Sequence, residues 1–160
     1  MLIVGHGPEK PRLLAIIEQC HLQEKVVMEE WLEPEAYQEV MAAADVFVHP
    51  ARFDAFGGGT LYAMAMGVPV IGSKGAGTVQ ERIRPEVNGL VYSPEDVPAL
   101  TRCIVRMLEN REEREALGRA ARRTAEEWAP QMGRRIVLDS LGRPGVKEDF
   151  HCRREKSTSP

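Results

Sequence analysis

One stretch constrains the fold more than any other. From Pro50 to Pro69 the chain reads PARFDAFGGGTLYAMAMGVP. A β-branched run, Asp45–His49, precedes it and a second, Val68–Gly72, follows. Three consecutive glycines let the backbone turn sharply and come close to a neighbour. The next residues are small and apolar until Gly67-Val68-Pro69, so they suit a buried helix with a glycine stop. Strand, glycine loop, helix and strand in this order predict a parallel α/β unit. The helix would aim its unpaired N–H groups and positive dipole end into the loop. Asp54, one turn upstream, can accept hydroxyl hydrogen bonds. These residues by themselves leave two readings open: a site for the phosphates and hydroxyls of a sugar nucleotide, or a glycine-rich turn serving only tight strand-to-helix packing.

At 160 residues the chain fits one domain with an adequate core. A formal charge of −3 gives no basic surplus for a phosphate backbone, so no nucleic-acid partner is expected. The cysteines Cys20, Cys103 and Cys152 are far apart and match no ligand spacing, which suits reduced thiols in a cytoplasmic protein. No apolar run approaches the ~20 residues of a membrane span, and MLIVGHG lacks the features of a signal peptide.

The alternation continues along the chain. Strands are expected at Met1–Gly5 (buried), Lys25–Met28, Asp45–His49, Val68–Gly72 and Gly89–Tyr92. Helices are expected at Pro11–Cys20, Glu35–Ala44 and Thr60–Met66, the last wholly buried, with Met64 and Met66 both in the core. A turn links the last two strands. Two helices follow, one opening at Pro94-Glu95-Asp96 and one from about Glu112 to before Pro130, then a weaker segment at Met132–Leu141. The domain is expected to span residues 1–141, with a disordered tail over 142–160. A first strand that opens at Met1 suggests a domain incomplete at its N-terminus. The expected fold is a Rossmann-like three-layer α/β/α domain with a parallel sheet, whose loops Gly5–Pro8, His49–Gly59 and Gly72–Gly77 gather on one edge.

Six motifs in order resemble the donor-binding half of the family-4 (group 1) retaining glycosyltransferases: G-H-G-P, then A-A-A-D-V-F-V-H-P, R-F-D-A-F-G, L-Y-A-M-A-M-G-V-P-V-I-G, G-A-G-T-V-Q-E and N-G-L-V-Y. The resemblance runs from about Leu2 to Trp128. It implies one half of a GT-B fold, in which a second, N-terminal domain binds the acceptor and this half binds a nucleoside diphosphate sugar. By position, Asp54 would contact the donor sugar's hydroxyls near the anomeric centre. The backbone of Phe56, Gly57, Gly58 and Gly59 would hold the diphosphate and stabilise charge on the leaving group. Gly77, Thr78 and Glu81 would sit beside the donor, and Trp31 and Leu32 would face the base. No metal or other cofactor is implied.

Three positions depart from the family. Tyr62 replaces the second glutamate of the signature, and a phenol cannot accept from two ribose hydroxyls as a carboxylate can. Glu30 replaces a glycine beside the base, and Asp54 is one methylene shorter than the usual glutamate. The resemblance also implies a missing acceptor domain and an absent upstream Arg/Lys phosphate clamp. The isolated chain is therefore expected to be inactive, while its parent would be a cytoplasmic or membrane-peripheral hexosyltransferase. A non-catalytic regulatory or assembly domain with a degenerate donor site is the alternative. A nucleotide-cofactor domain would need fingerprint glycines that the sequence lacks.

Among single residues, His6 suits an exposed loop and Arg52 a surface ion pair. His49 could reach a phosphate or pack in the core. Glu81 could bind a hydroxyl or cap a short helix. No catalytic triad, metal-ligand cluster or carboxylate pair placed for hydrolysis is present in the sequence.

Overall fold

The structure, a computed structural model, describes residues 1–128. The chain divides into two units, Met1–Ala125 and Glu126–Pro160. The first holds every strand among the described residues. The expected segment Met132–Leu141, the boundary at 141 and the tail from Gly142 lie outside the described residues.

Five strands alternate with helices: β1 (Leu2–Val4), α1 (Lys10–Gln19), β2 (Val27–Glu29), α2 (Pro34–Ala43), β3 (Phe47–His49), α3 (Gly58–Met66), β4 (Val70–Ser73), α4 (Gly77–Arg82), β5 (Leu90–Tyr92), α5 (Val97–Glu109) and α6 (Arg111–Glu127). All pairings are parallel, as strand–helix–strand crossovers require. The strands form two groups, a pair β1–β2 and a three-stranded sheet β3–β4–β5. Residues Gly77–Arg82, expected as a turn, form the short helix α4. Lacking an apolar stripe of helical length, that segment gives no periodic signal.

β4 organises the core. Its side chains alternate between faces, as strand geometry dictates. Val70 belongs to one buried cluster with Met41 of α2, Ala63 and Met64 of α3, Val79 of α4 and Ala121 of α6. Ile71 belongs to the opposite cluster, with Leu90, Tyr92, Met107 of α5 and Leu117 of α6. Every β4 residue is buried, so helices cover both sheet faces. Each fully buried aliphatic side chain here stabilises the fold by roughly 1.5–3 kcal/mol before entropy is counted.

Two expectations of burial fail. In β1, Leu2 and Val4 are 38% and 40% exposed, because β1 pairs with β2 alone and α1 contributes no buried residue over it. In α3, Met64 is fully buried but Met66 is 40% and Tyr62 52% exposed. The helix is apolar all round, yet only its Thr60–Ala63–Met64 side meets the sheet.

Glycines set the closest approaches. Gly67 ends α3 with φ 76°, a conformation that L side chains rarely adopt. α6 lies against this turn: a Cβ on Gly118 would stand 2.2 Å from the Gly67 carbonyl oxygen. Gly118→Ala is therefore expected to push α6 outward and to destabilise the domain by about 1–3 kcal/mol in urea unfolding. Arg119→Ala, at the exposed next position, should stay within about 0.5 kcal/mol of wild type.

Candidate functional site

The loops after β3 and β4 are stitched together by main-chain hydrogen bonds. Asp54 N–H donates to the Gly75 carbonyl (2.9 Å), and Gly77 N–H donates to the Asp54 carbonyl (3.0 Å). Thr78 donates twice to the Phe56 carbonyl, through its N–H (2.7 Å) and through its hydroxyl. This approach requires glycine on the β4 side. A Cβ on Gly77 would lie 2.4 Å from the Ala55 oxygen, and one on Gly75 would lie 2.2 Å from the Arg52 oxygen. Within the β4 loop, Ser73 Oγ accepts from Gly75 N–H at 3.1 Å.

Asp54 forms the knot of this arrangement. Its Oδ1 accepts from the N–H groups of Phe56 (3.0 Å) and Gly57 (2.8 Å), a local Asx turn. Its Oδ2 lies 3.2 Å from His49 Nε2. That ring nitrogen is enclosed, and its contact with Oδ2 is not aligned as a hydrogen bond. The Phe56 N–H above all holds the Asp54 carboxyl below the usual carboxylate range; burial, the next largest effect, opposes it, and the Gly57 N–H and then His49 add to the lowering.

Gly57 then turns into α3 with φ 82°. Helix geometry leaves the N–H groups of Gly58 and Gly59 without intrahelical acceptors, and no side chain caps this end. Gly59 is needed for packing, since a Cβ there would lie 2.9 Å from the Phe47 ring and 3.3 Å from the Tyr37 hydroxyl. Gly58 has ordinary room around it, with nothing closer than 3.8 Å. Beside this helix end Phe56 is exposed, and Tyr62 packs edge-on against Tyr37 with ring centroids 5.8 Å apart.

The residues singled out from sequence are thus only partly brought together. Asp54, Phe56, Gly57, Gly77 and Thr78 form one bonded cluster, and Gly58 and Gly59 follow Gly57 directly as the start of α3. Tyr62 stands one turn along α3. Glu81 is in the last turn of α4, exposed, with Arg82 at 3.8 Å. Trp31 is 71% exposed and Leu32 half-buried, just after β2. Glu30 reaches the start of α1, where Lys10 Nζ meets it at 2.6 Å. The Gly5–Pro8 loop is tied to that end of β2, through Gly5 N–H to the Glu29 carbonyl at 2.8 Å, and not to the Asp54 cluster. Arg52 makes the expected surface ion pair, with Glu95 at 3.1 Å.

Sequence reasoning missed two polar arrangements. His49 faces Asp54, a pairing that five residues of separation do not announce. Asn88 is buried and shapes the turn into β5: its Oδ1 accepts from Arg84 N–H, and its Nδ2 donates to the Arg82 carbonyl and Thr124 Oγ1. Among the described residues no group of three or more His, Cys, Asp or Glu side chains is placed to hold a metal ion. No helix among them is long and apolar enough to cross a membrane.

Comparison with known proteins fits this geometry. The family model for glycosyl transferases group 1 matches residues 1–124. The chain belongs to this family. It is 34% identical over 100 residues to the 2-deoxystreptamine N-acetyl-D-glucosaminyltransferase of Streptomyces fradiae, covering 62% of this chain and 24% of that protein. It is 34% identical over 146 residues to a GDP-mannose-dependent phosphatidylinositol monomannoside mannosyltransferase of Corynebacterium glutamicum, covering 86% and 37%. Sucrose-phosphate synthase of Thermosynechococcus elongatus superposes with a TM-score of 0.72 at 29% identity, over 88% of this chain and 38% of that one. The Anabaena protein HepE in complex with UDP-glucose superposes at 0.75, over 88% and 40%, and at 23% identity this likeness speaks for the fold alone. The fold is the Rossmann-like α/β unit of GT-B glycosyltransferases, and the chain spans about a quarter to two fifths of these relatives.

The Asp54 turn has a pH signature. Because its folded pKa is depressed from 3.8, its contribution to stability is present above that value and is lost as pH falls through the lower folded pKa. Asp54→Asn keeps the Oδ1 acceptor but does not titrate. The Tm difference between wild type and Asp54→Asn is expected to be present near pH ~5 and to shrink below pH ~4, as followed by thermal melts.

Proposed function

We propose that this chain is the donor-binding domain of a retaining hexosyltransferase, which moves a hexose from a nucleoside diphosphate sugar to an acceptor hydroxyl. The observation that carries the reading is the uncapped start of α3, where Gly58 and Gly59 present free N–H groups beside a left-handed Gly57. Such a helix end suits a phosphate. Donation to the β-phosphate would stabilise the charge that grows as the bond from anomeric carbon to diphosphate oxygen breaks and the leaving group takes the electron pair.

In this reading Asp54 keeps lone pairs beyond its two backbone bonds with which to accept from a sugar hydroxyl. Gly77 and Thr78 hold the adjoining wall, with Glu81 at its exposed end. Tyr62 offers one hydroxyl to the ribose, and Trp31 and Leu32 lie toward the base. The leaving group is stabilised by N–H groups, so no metal or other cofactor is invoked. We assign the activity to a longer cytoplasmic parent that carries an acceptor domain, and expect the chain alone to be inactive.

The sheet supports a longer domain independently. Doubly wound sheets commonly place the third, second and first strands before the fourth, fifth and sixth. The observed groups, β2–β1 and β3–β4–β5, match that order with its first strand left out. A strand from outside these residues, seated between β1 and β3, would join them and help cover Leu2 and Val4.

The second reading is a non-catalytic domain with a decayed donor site. It is favoured by Tyr62, and by the Phe56 and Gly57 N–H groups being taken up by Asp54. Titration of the chain with UDP, GDP and ADP, followed by amide chemical shifts, separates the two. Binding is expected on the order of millimolar, since an exposed helix end contributes only about 0.3–1 kcal/mol. Shifts should centre on Phe56–Leu61 and vanish in Gly58→Val, at a position where an added Cβ meets nothing closer than 3.8 Å. Silence toward all three nucleotides would leave a decayed site or the missing phosphate clamp, and the same titration on a chain extended upstream separates them: restored binding points to the clamp, continued silence to the non-catalytic reading.

A further inference from the structure

The buried ring nitrogen of His49 needs an explanation. His49 closes β3, and its Nε2 is shut off from solvent without an aligned partner. A ligand in the glycine loop therefore cannot touch that atom unless the loop moves. Its close polar neighbour is Asp54 Oδ2, at 3.2 Å. The other oxygen of that carboxylate holds the N–H groups of Phe56 and Gly57. The imidazole also borders the loop itself: a Cβ on Gly57 would come within 3.5 Å of Nε2. On its far side the ring leans on Phe47, with centroids 6.1 Å apart, and Phe47 in turn packs beneath Gly59.

We propose that His49 is a positioning residue for the glycine loop. By its polar contact with Oδ2, 3.2 Å away and not aligned as a hydrogen bond, it holds the Asp54 carboxylate in the rotamer that lets Oδ1 take both loop N–H groups, and so sets the direction of the Gly58 and Gly59 N–H groups. This deepens the donor-site reading and rests on it for its consequence in binding. A freely rotating Asp54 would satisfy one N–H or the other. The left-handed turn at Gly57 would then lose the acceptor that holds it, and the start of α3 would be free to swing.

Three variants test this in the full chain: His49→Ala, His49→Gln and His49→Phe. Gln can donate to Oδ2 from a similar reach, whereas Phe keeps the ring volume against Phe47 but cannot donate. The first readout is amide hydrogen exchange in the nucleotide-free protein, with exchange of buried β4 amides as the control for folding. Positioning predicts that Phe56 and Gly57 amides exchange about tenfold faster in His49→Ala and His49→Phe, with β4 unchanged, and that His49→Gln restores them. Rescue by Phe but not Gln, or no change at Phe56 and Gly57 in any variant, would overturn it in favour of plain packing. The second readout is the UDP titration, expected to weaken about tenfold in the same two variants. Should the exchange pattern hold while wild type itself ignores UDP, GDP and ADP alike, extended upstream or not, the donor-site reading fails and the positioning of the loop stands. A wild type that binds UDP no better than His49→Phe would overturn the link between positioning and binding.

Discussion

The loops that leave β3 and β4 are bonded to each other, and the rest of the site depends on that union. Four hydrogen bonds join Asp54–Phe56 to Gly75–Thr78, three through main-chain N–H groups and one through the Thr78 hydroxyl. They extend the β3–β4 pairing past the last ladder partners, as the bridge between Asp54 and Ala76 records. Irregular backbone needs such partners, because each unpaired buried N–H or carbonyl carries a desolvation cost of about 1–3 kcal/mol. With both loops held this way, the chain can enter α3 through a left-handed glycine without the strand end fraying.

Beneath this layer the packing is divided by β4. Val70 and Ile71 face opposite clusters, so one short strand couples α2, α3 and α4 on one side to α5 on the other, while α6 reaches both. The rigid platform is therefore the β3–β4–β5 half. The β1–β2 half is thinner, with α1 burying no residue. A site that must hold small N–H groups in fixed directions sits where the platform is strongest, which agrees with function residing on loops anchored to a packed scaffold.

Polar economy at the site has a distinctive form. Asp54, which the family resemblance presents as a sugar contact, also works inward as the acceptor that shapes its own loop. Shortening the side chain by one methylene suits that inward task, since an aspartate reaches the N–H groups two and three residues ahead in an Asx turn. Tyr62 follows a similar logic. Where a carboxylate would face the ligand, an aromatic ring packs edge-on against Tyr37 and keeps its other side exposed. The Tyr62 change removes a charge from the site, whereas Asp54 keeps one and turns it inward.

The sequence by itself determined the order of strands and of every described helix but α4, the parallel sheet, the glycine loop and the family, because those features are written in local periodicity and in motifs of fixed spacing. That Asp54 and the glycines share one loop running into a helix was legible for the same reason. Tertiary structure decided the partners. That Met66 would be exposed while Met64 is sealed followed from which side of α3 meets β4, since an all-apolar helix gives no stripe to choose by. That β1 would be half-open followed from its having one neighbour, and strand neighbours are set by topology. That His49 would face Asp54, and that Gly75 and Gly77 would clear the way for another loop's carbonyls, could not be read from residue types. Side-chain contacts across a turn depend on backbone directions that only the assembled sheet fixes, and the same glycine spells a turn, a helix start or a close approach until its neighbour arrives.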